Sequence, residues 1–476
     1  MEEQIQNMDA HTLQKKIQGQ VFTSEEFLNF YSVDSSFYQI KPKLVVIPKT
    51  VTDVITVVRF ARKNGLSITP RGGGTGLVGS ALNDGIILDM KNFDKIRLKQ
   101  NYVNVGAGAN KGILDRVLEQ HKKFLGPNPS VGPYCTIGGM IGTNASGSRS
   151  IKYGGTIDNL LGVKIVTANG KIESLPSKNS LSKSILAFAQ MIDKSKFPHV
   201  SKNSCGYRLD AVDDISNTHK VIAASEGTLA IIISARLRVY DIPNKRTLLI
   251  LGYKSVNDAF DDCKRLANLD LSALEFIDYT TMKNIKTKFP QKTKCLLFVE
   301  FDSDIAKNIK KLTKISTGSI LYHLNSKTLI TKWWNYRNSA LHFSLKNMLS
   351  KETVPHIIED ATVPLDALDK LLVLVCHIRK KYHARVVMYG HAGNGNIHVR
   401  LASKNKNKKT IDCLASEFFS KIIEMNGTIT GEHGDGIARS KFVCRQYGKK
   451  NYQIFIRMKD RLDPKNILNP HKIVTV

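Results

Sequence analysis

The N-terminal half of the chain alternates short apolar runs with segments whose apolar residues recur at helical spacing. Residues 44–48, LVVIP, predict a strand that ends at a proline. Residues 49–64 predict an amphipathic helix with Thr50 as its N-cap and Gly65 as its C-cap. Further apolar runs predict strands at 66–69, 85–90, 102–105, 162–166 and 230–233, with helical patterns such as 111–121 between some of them. This mixture predicts an α+β domain of about 200 residues that ends near Tyr240.

A second α+β unit follows a polar boundary at residues 243–245, PNK. Strands are predicted at 249–253 and 295–301, and helices at 256–267 and 304–316. Beyond residue 430 the chain is glycine-rich, and it becomes helical from about 453 to 462. The pattern therefore predicts four parts: a polar helical lead-in (1–37), a first domain (38–241), a second domain (242–429) and a C-terminal segment (430–476).

Composition narrows the class of protein. Of the 476 residues, 42% are hydrophobic and 23% are charged, which excludes a disordered or collagen-like chain. The net charge of +29 is consistent with three alternative partners: nucleic acid, an anionic membrane surface or an anionic substrate. No apolar run approaches the roughly 20 residues of a membrane span, and the acidic N-terminus does not resemble a secretory signal. The seven cysteines form no CxxC pair, so we expect reduced thiols in a cytoplasmic protein without an iron–sulfur cluster.

Glycine clusters indicate where a ligand could approach the backbone. The sequence RGGGTG at 71–76 follows a predicted strand, and its N–H groups could cradle a pyrophosphate. It has neither the ending of a P-loop nor the long helix of a Rossmann fingerprint, and a plain tight turn is the alternative. A second cluster of small residues spans 137–147, and SEGTL follows at 225–229. The glycines at 106–112 are interpreted as a strand-to-helix turn.

Histidines and a carboxylate in the second half indicate metal chemistry. His391 and His398 flank a glycine-rich turn in HAGNGNIH, and GEHG at 431–434 adds Glu432 and His433. Two histidines with one carboxylate form a ligand set for zinc or a similar divalent ion that leaves positions for substrate. Each histidine taken singly is more often a surface or hydrogen-bonded group. His377 and His383, near a helix end, are interpreted as structural.

The order PRGGGTGL, IGGMIGTNASG, YGGTIDNLLGVKIVTANG and SEGTLA resembles the FAD-binding domain of the vanillyl-alcohol-oxidase/PCMH flavoprotein superfamily. In that superfamily two α+β subdomains hold an extended FAD. The first glycine loop here contains no histidine, so the resemblance implies noncovalent FAD. By motif position it implicates Pro70, Arg71, Gly72, Gly73, Gly74, Thr75, Gly76, Leu77, Gly138, Gly139, Gly142, Asn144, Ala145, Gly147, Glu226 and Gly227.

The C-terminal motifs are similar to those of the FAD-linked 2-hydroxy-acid dehydrogenases, and this resemblance covers about residues 38–476. It implies that His391, His398 and Glu432 bind a divalent metal, with zinc the first candidate, and that His433 takes the substrate hydroxyl proton. The segment WWNYR at 333–337 resembles the family's W-x-x-R, whose arginine would clamp the substrate carboxylate through Arg337. The alternative is that Arg337 pairs with a local carboxylate. The implied architecture is a PCMH-type FAD-binding domain at 38–241, a substrate (cap) domain at 242–429 and a C-terminal segment that returns to the FAD-binding domain.

Three departures from the family pattern stand in the sequence. Asn394 replaces the aspartate of many members, which bears on metal affinity or preference. Ile358 lies where some members have a lysine, and the surrounding segment at 357–364 is interpreted as a scaffold strand. GEHGDGIARS resembles members that carry a fused C-terminal iron–sulfur domain, and we expect no such domain here.

The sequence therefore predicts an FAD-dependent dehydrogenase for a short D-2-hydroxy acid such as D-lactate, glycolate or D-2-hydroxyglutarate. Electrons would pass to a separate acceptor, for which an iron–sulfur protein, a quinone or a cytochrome are candidates. An alkylglycerone-phosphate synthase-like transferase is the runner-up, although GEHG lacks the consecutive histidines of that branch. A nucleic-acid-binding protein is a third hypothesis, for which no recognition motif is present. Most of the charge lies outside the motifs, which indicates docking to an acidic partner or to an anionic membrane surface.

Overall fold

The first sheet carries the glycine cluster at residues 71–76. The structure, a computed structural model, describes residues 10–340, 342, 357–404 and 407–475. The strands are β1 (Gln20–Phe22), β2 (Leu44–Ile47), β3 (Ile68–Arg71) and β4 (Ile86–Asp89), in the order β1-β2-β4-β3. β2, β4 and β3 are parallel, so the chain must cross over the sheet between β2 and β3.

That crossover is the helix predicted from the spacing of apolar residues. After α1 (Glu25–Tyr31), the chain forms α2 (Val51–Asn64), which buries Val54, Val57, Val58 and Ala61. Thr50 and Asp53 form a reciprocal capping box, and Gly65 ends the helix at a φ of 64°. Both predicted caps are confirmed, and the helix begins at Val51, two residues after the start of the predicted segment.

The lead-in is not purely helical, which corrects the prediction for residues 1–37. In its described part α1 is present, but β1 precedes it and pairs antiparallel with β2, with Val21 opposite Val46. A strand of three residues is too short to show a period of two, so only its partner strand reveals it.

The second sheet completes the region that the resemblance implies for FAD, which we call the FAD-binding region; by the same resemblance, the domain after it is called the cap domain. Its five antiparallel strands lie in the order β5-β6-β10-β8-β9, and the two-stranded ribbon β7–β11 lies beside it. The strands are β5 (Ile96–Leu98), β6 (Tyr102–Gly106), β7 (Lys123–Phe124), β8 (Leu160–Val166), β9 (Ile172–Leu175), β10 (Ile231–Arg238) and β11 (Tyr240–Asp241). The helices are α3 (Lys111–Gln120), α4 (Ile137–Thr143), α5 (Ser150–Tyr153), α6 (Thr156–Asn159) and α7 (Ser180–Met191). The turn between β6 and α3 is the predicted strand-to-helix turn.

The cap domain is a six-stranded antiparallel sheet in the order β15-β12-β14-β13-β16-β17. Its strands are β12 (Thr247–Tyr253), β13 (Ala273–Asp278), β14 (Cys295–Phe301), β15 (Ser319–Leu324), β16 (Arg385–His391) and β17 (Asn396–Ala402). Its helices are α8 (Val256–Leu266), α9 (Tyr279–Met282), α10 (Ile305–Ile315), α11 (Lys327–Asn338), α12 (Leu368–Lys381) and α13 (Lys408–Glu424). Residues 357–364 do not form the expected strand, because only Thr362 makes isolated bridges, to Asn396 and Thr428.

The C-terminal segment returns to the first sheet, as the fold resemblance implied. α14 (Gly436–Leu462) begins 17 residues before the predicted helix at 453, and Gly448 kinks it with a φ of 76°. Glycines lie on both sides of the first half of this helix. Because glycine is unfavourable within helices, the sequence pattern did not predict that half. Beyond it, the N–H of Ile68 donates to the carbonyl of Ile467 (2.6 Å), and the N–H of Asn469 donates to the carbonyl of Ile68 (2.8 Å). Within the described part of the chain, no helix has the length and apolarity to cross a bilayer.

Buried ion pairs join the FAD-binding region to the cap domain. Arg149 donates to both carboxylate oxygens of Glu300 at 2.7 and 3.0 Å, and Lys152 donates to Asp302 at 2.7 Å. Burial by itself would raise the pKa of Glu300, but Arg149 holds it at about 2. This contact fixes α5 against the end of β14, so the two domains present one continuous site.

We predict that Glu300→Gln lowers the free energy of unfolding by about 3–5 kcal/mol at neutral pH, because it leaves Arg149 buried opposite a neutral side chain. The pKa of Glu300 is lowered from 4.5 to about 2, so its charge stabilises the fold above about pH 4.5. That contribution is lost as the pH falls towards 2, and the difference from the unmodified protein should narrow over this range. Urea denaturation at several pH values measures it.

Glu424→Gln is the matched control, since Glu424 is an exposed carboxylate that pairs with Lys421 at 2.7 Å. It should change stability by less than about 1 kcal/mol. Equal effects of the two substitutions would show that the interdomain pair does not stabilise the fold.

Candidate active site

The glycine loop after β3 lines a long cavity that ends at the histidine cluster. Residues of α4 line the same cavity, as do Glu226 and Gly227. Of the residues implicated in FAD binding, the structure brings these to the cavity wall: Pro70, Arg71, Gly72, Gly73, Gly74, Thr75, Gly76, Leu77, Gly138, Gly139, Gly142, Ala145, Glu226 and Gly227. Asn144 and Gly147 lie behind the wall.

The glycine loop is shaped by close packing and by one buried cation. A Cβ on Gly73 would lie 2.4 Å from the carbonyl oxygen of Tyr134, and Gly74 has a φ of 63°. Arg71, only 7% exposed, donates to the carbonyls of Tyr31 (3.1 Å) and Val33 (2.8 Å). The loop is therefore held open by its own backbone and by the lead-in, as a phosphate cradle requires.

Asn144 and Gly147 connect the cradle to the rest of the site. The side-chain carbonyl of Asn144 accepts from the N–H of Ile157 at 2.8 Å. The N–H of Gly147 donates to Glu432 at 2.9 Å, and a Cβ there would lie 2.1 Å from the carbonyl oxygen of Asn128. Asn144 and Gly147 therefore contact other protein groups and do not line the cavity. The motif alone does not distinguish them from the residues that do.

Glu226 ties the FAD-binding region to the C-terminal helix. Its carboxylate accepts from the N–H groups of Asp435 (2.6 Å) and Gly436 (2.9 Å), at the N-terminus of α14. Burial and the neighbouring Asp435 carboxylate raise the pKa of Glu226 to about 8. A carboxylate at a helix N-terminus satisfies donors that have no partner within the helix.

The cavity fits FAD by the character of its wall. The loop after β3 has glycine at 72–74 and 76, which leaves its backbone accessible from the cavity, and the cavity continues past small residues of α4 to ionisable groups at its far end. The order of these surfaces along the cavity matches FAD, an extended ligand that has a pyrophosphate near its middle and a flat ring system.

At the far end, a β-hairpin presents two histidines. His391 ends β16 and His398 lies on β17, with Tyr389 opposite His398 in the register. The two rings are 5.3 Å apart between centroids, at 78°. The glycine-rich turn at 392–395 brings them together, as the sequence predicted.

Glu432 is the carboxylate on which the cluster converges. One oxygen lies 2.8 Å from Nε2 of His391 and 3.5 Å from Nε2 of His398. The other accepts from Ser146, from the N–H of Gly147 and from the ammonium group of Lys202 at 3.0 Å. Burial opposes its charge, but His391 and Lys202 hold the pKa of Glu432 well below its usual range.

These donors fit a divalent cation. Nε2 of His391 and Nε2 of His398 lie 2.8 and 3.5 Å from the same Glu432 oxygen, separations that a single ion with bonds of about 2.0–2.3 Å can span. Burial lowers the pKa of His398 to about 4, so its ring is neutral. Its Nδ1 lies 3.2 Å from the carbonyl of Glu359, which leaves Nε2 as the free ligand atom.

His433 stands beside this cluster and is 23% exposed at its side chain. Its Nδ1 lies 3.0 Å from both oxygens of Glu359, and its Nε2 lies 4.0 Å from Glu432. Burial lowers the pKa of His433, but Asp360 and Glu359 outweigh burial and raise it to about 9. A cation at the neighbouring cluster would act in the opposite direction.

Glu359 and Asp360 support the site from behind the cavity wall, so the segment 357–364, interpreted as scaffold, carries two carboxylates that the sequence did not single out. One oxygen of Asp360 accepts three consecutive backbone N–H groups, from Gly431 (3.0 Å), Glu432 (2.9 Å) and His433 (2.8 Å). Glu359 holds the ring of His433, with Arg439 as its partner at 2.6 Å. Adjacent carboxylates within an apolar run are the signal that could have found them, because buried charges need partners.

Arg337 and Arg400 line the substrate end of the cavity with Tyr389 between them. The Nε of Arg337 donates to Glu275 at 2.6 Å. Arg337 therefore pairs with a nearby carboxylate of the protein, which was the alternative to a substrate-binding role. The Nε of Arg400 donates to the hydroxyl oxygen of Tyr389 at 3.3 Å. Lys202, Glu275, Tyr389 and Arg400 carry no motif and were not predicted from the sequence.

Comparison with known proteins adds two family matches. Residues 42–175 match the FAD binding domain, and residues 242–473 match the C-terminal domain of FAD linked oxidases. The glycolate oxidase subunit GlcD of Bacillus subtilis is 28% identical over 93% of this chain and 91% of its own length. A D-lactate dehydrogenase of Anaerostipes hadrus is 25% identical over 91% of this chain and 90% of its own length.

Other relatives are longer or more distant. A D-2-hydroxyglutarate dehydrogenase of Pantoea ananatis is 29% identical over 98% of this chain, which spans only 51% of that protein. Among solved structures, an alkyldihydroxyacetonephosphate synthase superposes with a TM-score of 0.70 at 18% identity, covering 98% of this chain and 85% of that one. At that identity the likeness shows the fold alone.

We predict that Gly73→Ala destabilises the apoprotein and lowers its FAD content, because the new Cβ collides with backbone. Overpacking of this kind costs about 1–3 kcal/mol. Thermal unfolding of the apoprotein and flavin absorbance after reconstitution measure the two effects.

Gly76→Ala in the same loop is the control, since its Cβ would meet only the Ser80 hydroxyl at 3.5 Å. Its apoprotein should melt like the unmodified one. Equal melting temperatures for both variants would refute the role of close packing at Gly73.

Proposed function

This chain is an FAD-linked oxidoreductase that belongs to the FAD-linked oxidases, and we propose that it oxidises a short D-2-hydroxy acid to the corresponding 2-oxo acid. D-Lactate, glycolate and D-2-hydroxyglutarate are the candidate substrates, after the names of its relatives. One observation carries the proposal: the glycine cradle and the cluster of His391, His398, Glu432 and His433 open on the same cavity.

The cradle would hold FAD noncovalently. Backbone N–H groups of 72–76 would bind the pyrophosphate, and Arg71 would keep the loop in shape through the lead-in. Bound FAD supplies the acceptor for the hydrogen and the electron pair that leave the substrate Cα. The cavity leads from this loop directly to the histidines, so substrate and cofactor can meet.

His391, His398 and Glu432 would hold a divalent metal, with zinc the first candidate. Such an ion, when bound, supplies a Lewis acid for the substrate hydroxyl and carboxylate. The chain prepares the ligands in advance, since Ser146, Gly147 and Lys202 engage the far oxygen of Glu432 and leave the near oxygen facing the histidines.

His433 would accept the hydroxyl proton at Nε2. Glu359 accepts the hydrogen on Nδ1, which selects the tautomer with a free Nε2 and stabilises the ring once it is protonated. Asp360 fixes the backbone of Glu432 and His433 together, so the base keeps its position relative to the metal ligand. The substrate would lose this proton and one hydride, which balances the oxidation of an alcohol to a ketone.

Arg337 would orient the substrate carboxylate from the cavity wall. Its Nε is committed to Glu275, so the carboxylate would be met by the remaining edge of the guanidinium. Arg400 and Tyr389 on the same wall are further donors within reach of an anionic substrate.

The runner-up is a synthase-like transferase of the same fold. The superposition with an alkyldihydroxyacetonephosphate synthase is compatible with this alternative but shows only the shared fold. Such an enzyme would retain FAD but would not transfer electrons from a 2-hydroxy acid.

Electrons would leave to a separate acceptor, and the cap domain carries a charged surface that suits an anionic partner. Eleven lysines between residues 279 and 340 are all exposed: Lys283, Lys286, Lys288, Lys292, Lys294, Lys307, Lys310, Lys311, Lys314, Lys327 and Lys332. Two of the three acidic residues in that stretch, Glu300 and Asp302, pair with Arg149 and Lys152. The remaining positive field would attract an acidic protein or an anionic membrane surface.

We predict that reoxidation of the reduced protein by the acceptor fraction of its own cells slows steeply as salt is raised. Bleaching of the flavin by substrate should not slow, because it needs no docking. Reoxidation kinetics at several salt concentrations measure the difference. Insensitivity of reoxidation to salt would refute electrostatic docking.

We predict that anaerobic addition of a D-2-hydroxy acid bleaches the yellow protein, whereas the L enantiomer does not. His433→Ala should keep its FAD and bleach about 10²–10⁴-fold more slowly, because the proton acceptor is gone. Stopped-flow absorbance measures the rate. His377→Ala is the control, since His377 lies on α12 and contacts Glu417 outside the site.

The outcomes separate the hypotheses. A chain that cannot be reconstituted with FAD contradicts both flavin functions, and a yellow chain bleached by none of the acids favours the transferase. Exhaustive chelation should slow bleaching until zinc, manganese or cobalt is returned. An unchanged rate after proven metal removal would assign His391, His398 and Glu432 another role.

A further inference from the structure

Glu275 is a carboxylate in the middle of the cap sheet. β13 is buried along its whole length, and Glu275 shares its face with Ala273 and Ile277. The side chain has no exposed surface. A fully buried carboxylate is costly unless hydrogen bonds and opposite charge compensate it, so its partners indicate why the fold retains it.

Those partners are a predicted metal ligand and a predicted substrate residue. One carboxylate oxygen lies 2.7 Å from Nδ1 of His391, and the other accepts from Nε of Arg337 at 2.6 Å. The opposite edge of the His391 ring, Nε2, faces Glu432. Glu275 therefore sits behind the site and touches two groups that line the cavity.

We propose that Glu275 is a positioning residue of the metal centre, which holds the hydrogen of His391 on Nδ1 so that Nε2 is free to bind the cation. The inference rests on the proposed function in one respect, that His391 is a metal ligand. Through its second oxygen Glu275 also fixes the guanidinium of Arg337, so the metal ligand and the carboxylate-binding arginine share one support.

His391 differs in this respect from its neighbour. The Nδ1 of His398 lies against the backbone carbonyl of Glu359 at 3.2 Å, which is a neutral acceptor. Carboxylate oxygens of Asp360 and Glu359 lie 3.7 and 3.9 Å from that Nδ1, beyond hydrogen-bond distance. Of the two rings, therefore, only His391 has its Nδ1 within hydrogen-bond distance of a carboxylate. A charged acceptor makes the imidazole a stronger ligand, and loss of such a partner typically costs 10–100-fold in metal affinity.

Glu275→Gln isolates this effect, because the two side chains have the same shape. Glutamine has one accepting atom, whereas His391 Nδ1–H and Arg337 Nε–H both require an acceptor. Its amide group must face one of them, which either leaves Arg337 unpaired or moves the hydrogen of His391 to Nε2. In the first case His391 keeps only a neutral acceptor, and in the second it loses the tautomer with a free Nε2. Neither case opens a cavity.

Asp278→Asn is the matched control. Asp278 is a buried carboxylate at the end of the same strand, and it accepts from the N–H groups of Thr281 (2.9 Å) and Met388 (2.8 Å). Asparagine keeps only one of these two acceptors, so the control loses a buried hydrogen bond of the same kind as Glu275→Gln, at a residue that does not line the cavity.

The experiment measures Zn²⁺ binding to the FAD-loaded protein by competition with a chromophoric chelator, and records the visible spectrum with Co²⁺. We expect Glu275→Gln to bind Zn²⁺ about 10–100-fold more weakly and to alter the Co²⁺ spectrum, with its flavin content unchanged. Asp278→Asn should bind like the unmodified protein. Equal affinity and identical Co²⁺ spectra for Glu275→Gln and the unmodified protein would overturn the inference alone.

Failure of the proposed function has a different signature, since an unmodified protein that binds neither ion at this site overturns both. Should Glu275→Gln not fold, the unmodified protein decides the question. With ¹⁵N-labelled histidine and bound Zn²⁺, the His391 resonance, identified by its absence in His391→Ala, should show the hydrogen on Nδ1. A hydrogen on Nε2 would overturn the inference.

Discussion

The rest of the site depends on the burial of one carboxylate, that of Glu432. Removing a carboxylate from water is costly, and here donors from separate parts of the chain compensate it. Ser146, Gly147 and Lys202 reach one oxygen from the FAD-binding region, while His391 and His398 approach the other from the cap domain. Glu432 itself belongs to the C-terminal segment. One charge therefore holds all three parts in register, and the cavity lies where they meet.

Carboxylates that accept backbone N–H groups complete this arrangement. Asp360 binds the loop at 431–433, and Glu226 binds the first N–H groups of α14. Both segments are rich in glycine and have little side-chain packing of their own, so their conformation must be imposed by hydrogen bonds. The acidic residues thus order the backbone, and the ordered backbone places the ionisable groups of the site.

The two ends of the cavity have contrasting character. The end of the cavity at the glycine loop is lined by backbone and small residues, whereas the far end concentrates histidines, arginines and a carboxylate. A family of oxidases can therefore keep one cofactor site while the charged end changes with the substrate. The 25–29% identity to relatives with three different substrate names is consistent with this division.

The sequence alone determined the fold class, the glycine cradle, the helix at 51–64 and the group of His391, His398, Glu432 and His433. These follow from local patterns, namely periodic apolar residues, capping residues and motifs in which neighbours along the chain serve one purpose. Tertiary structure alone decided the short edge strand β1, the early start of α14 and the place of Glu275, Glu359, Asp360 and Lys202 at the site. Glu275 lies 116 residues from His391, and Lys202 lies 230 residues from Glu432. A buried charge needs a partner of opposite charge or hydrogen bonds that compensate it. Folding brings that partner close, although it lies far away along the sequence.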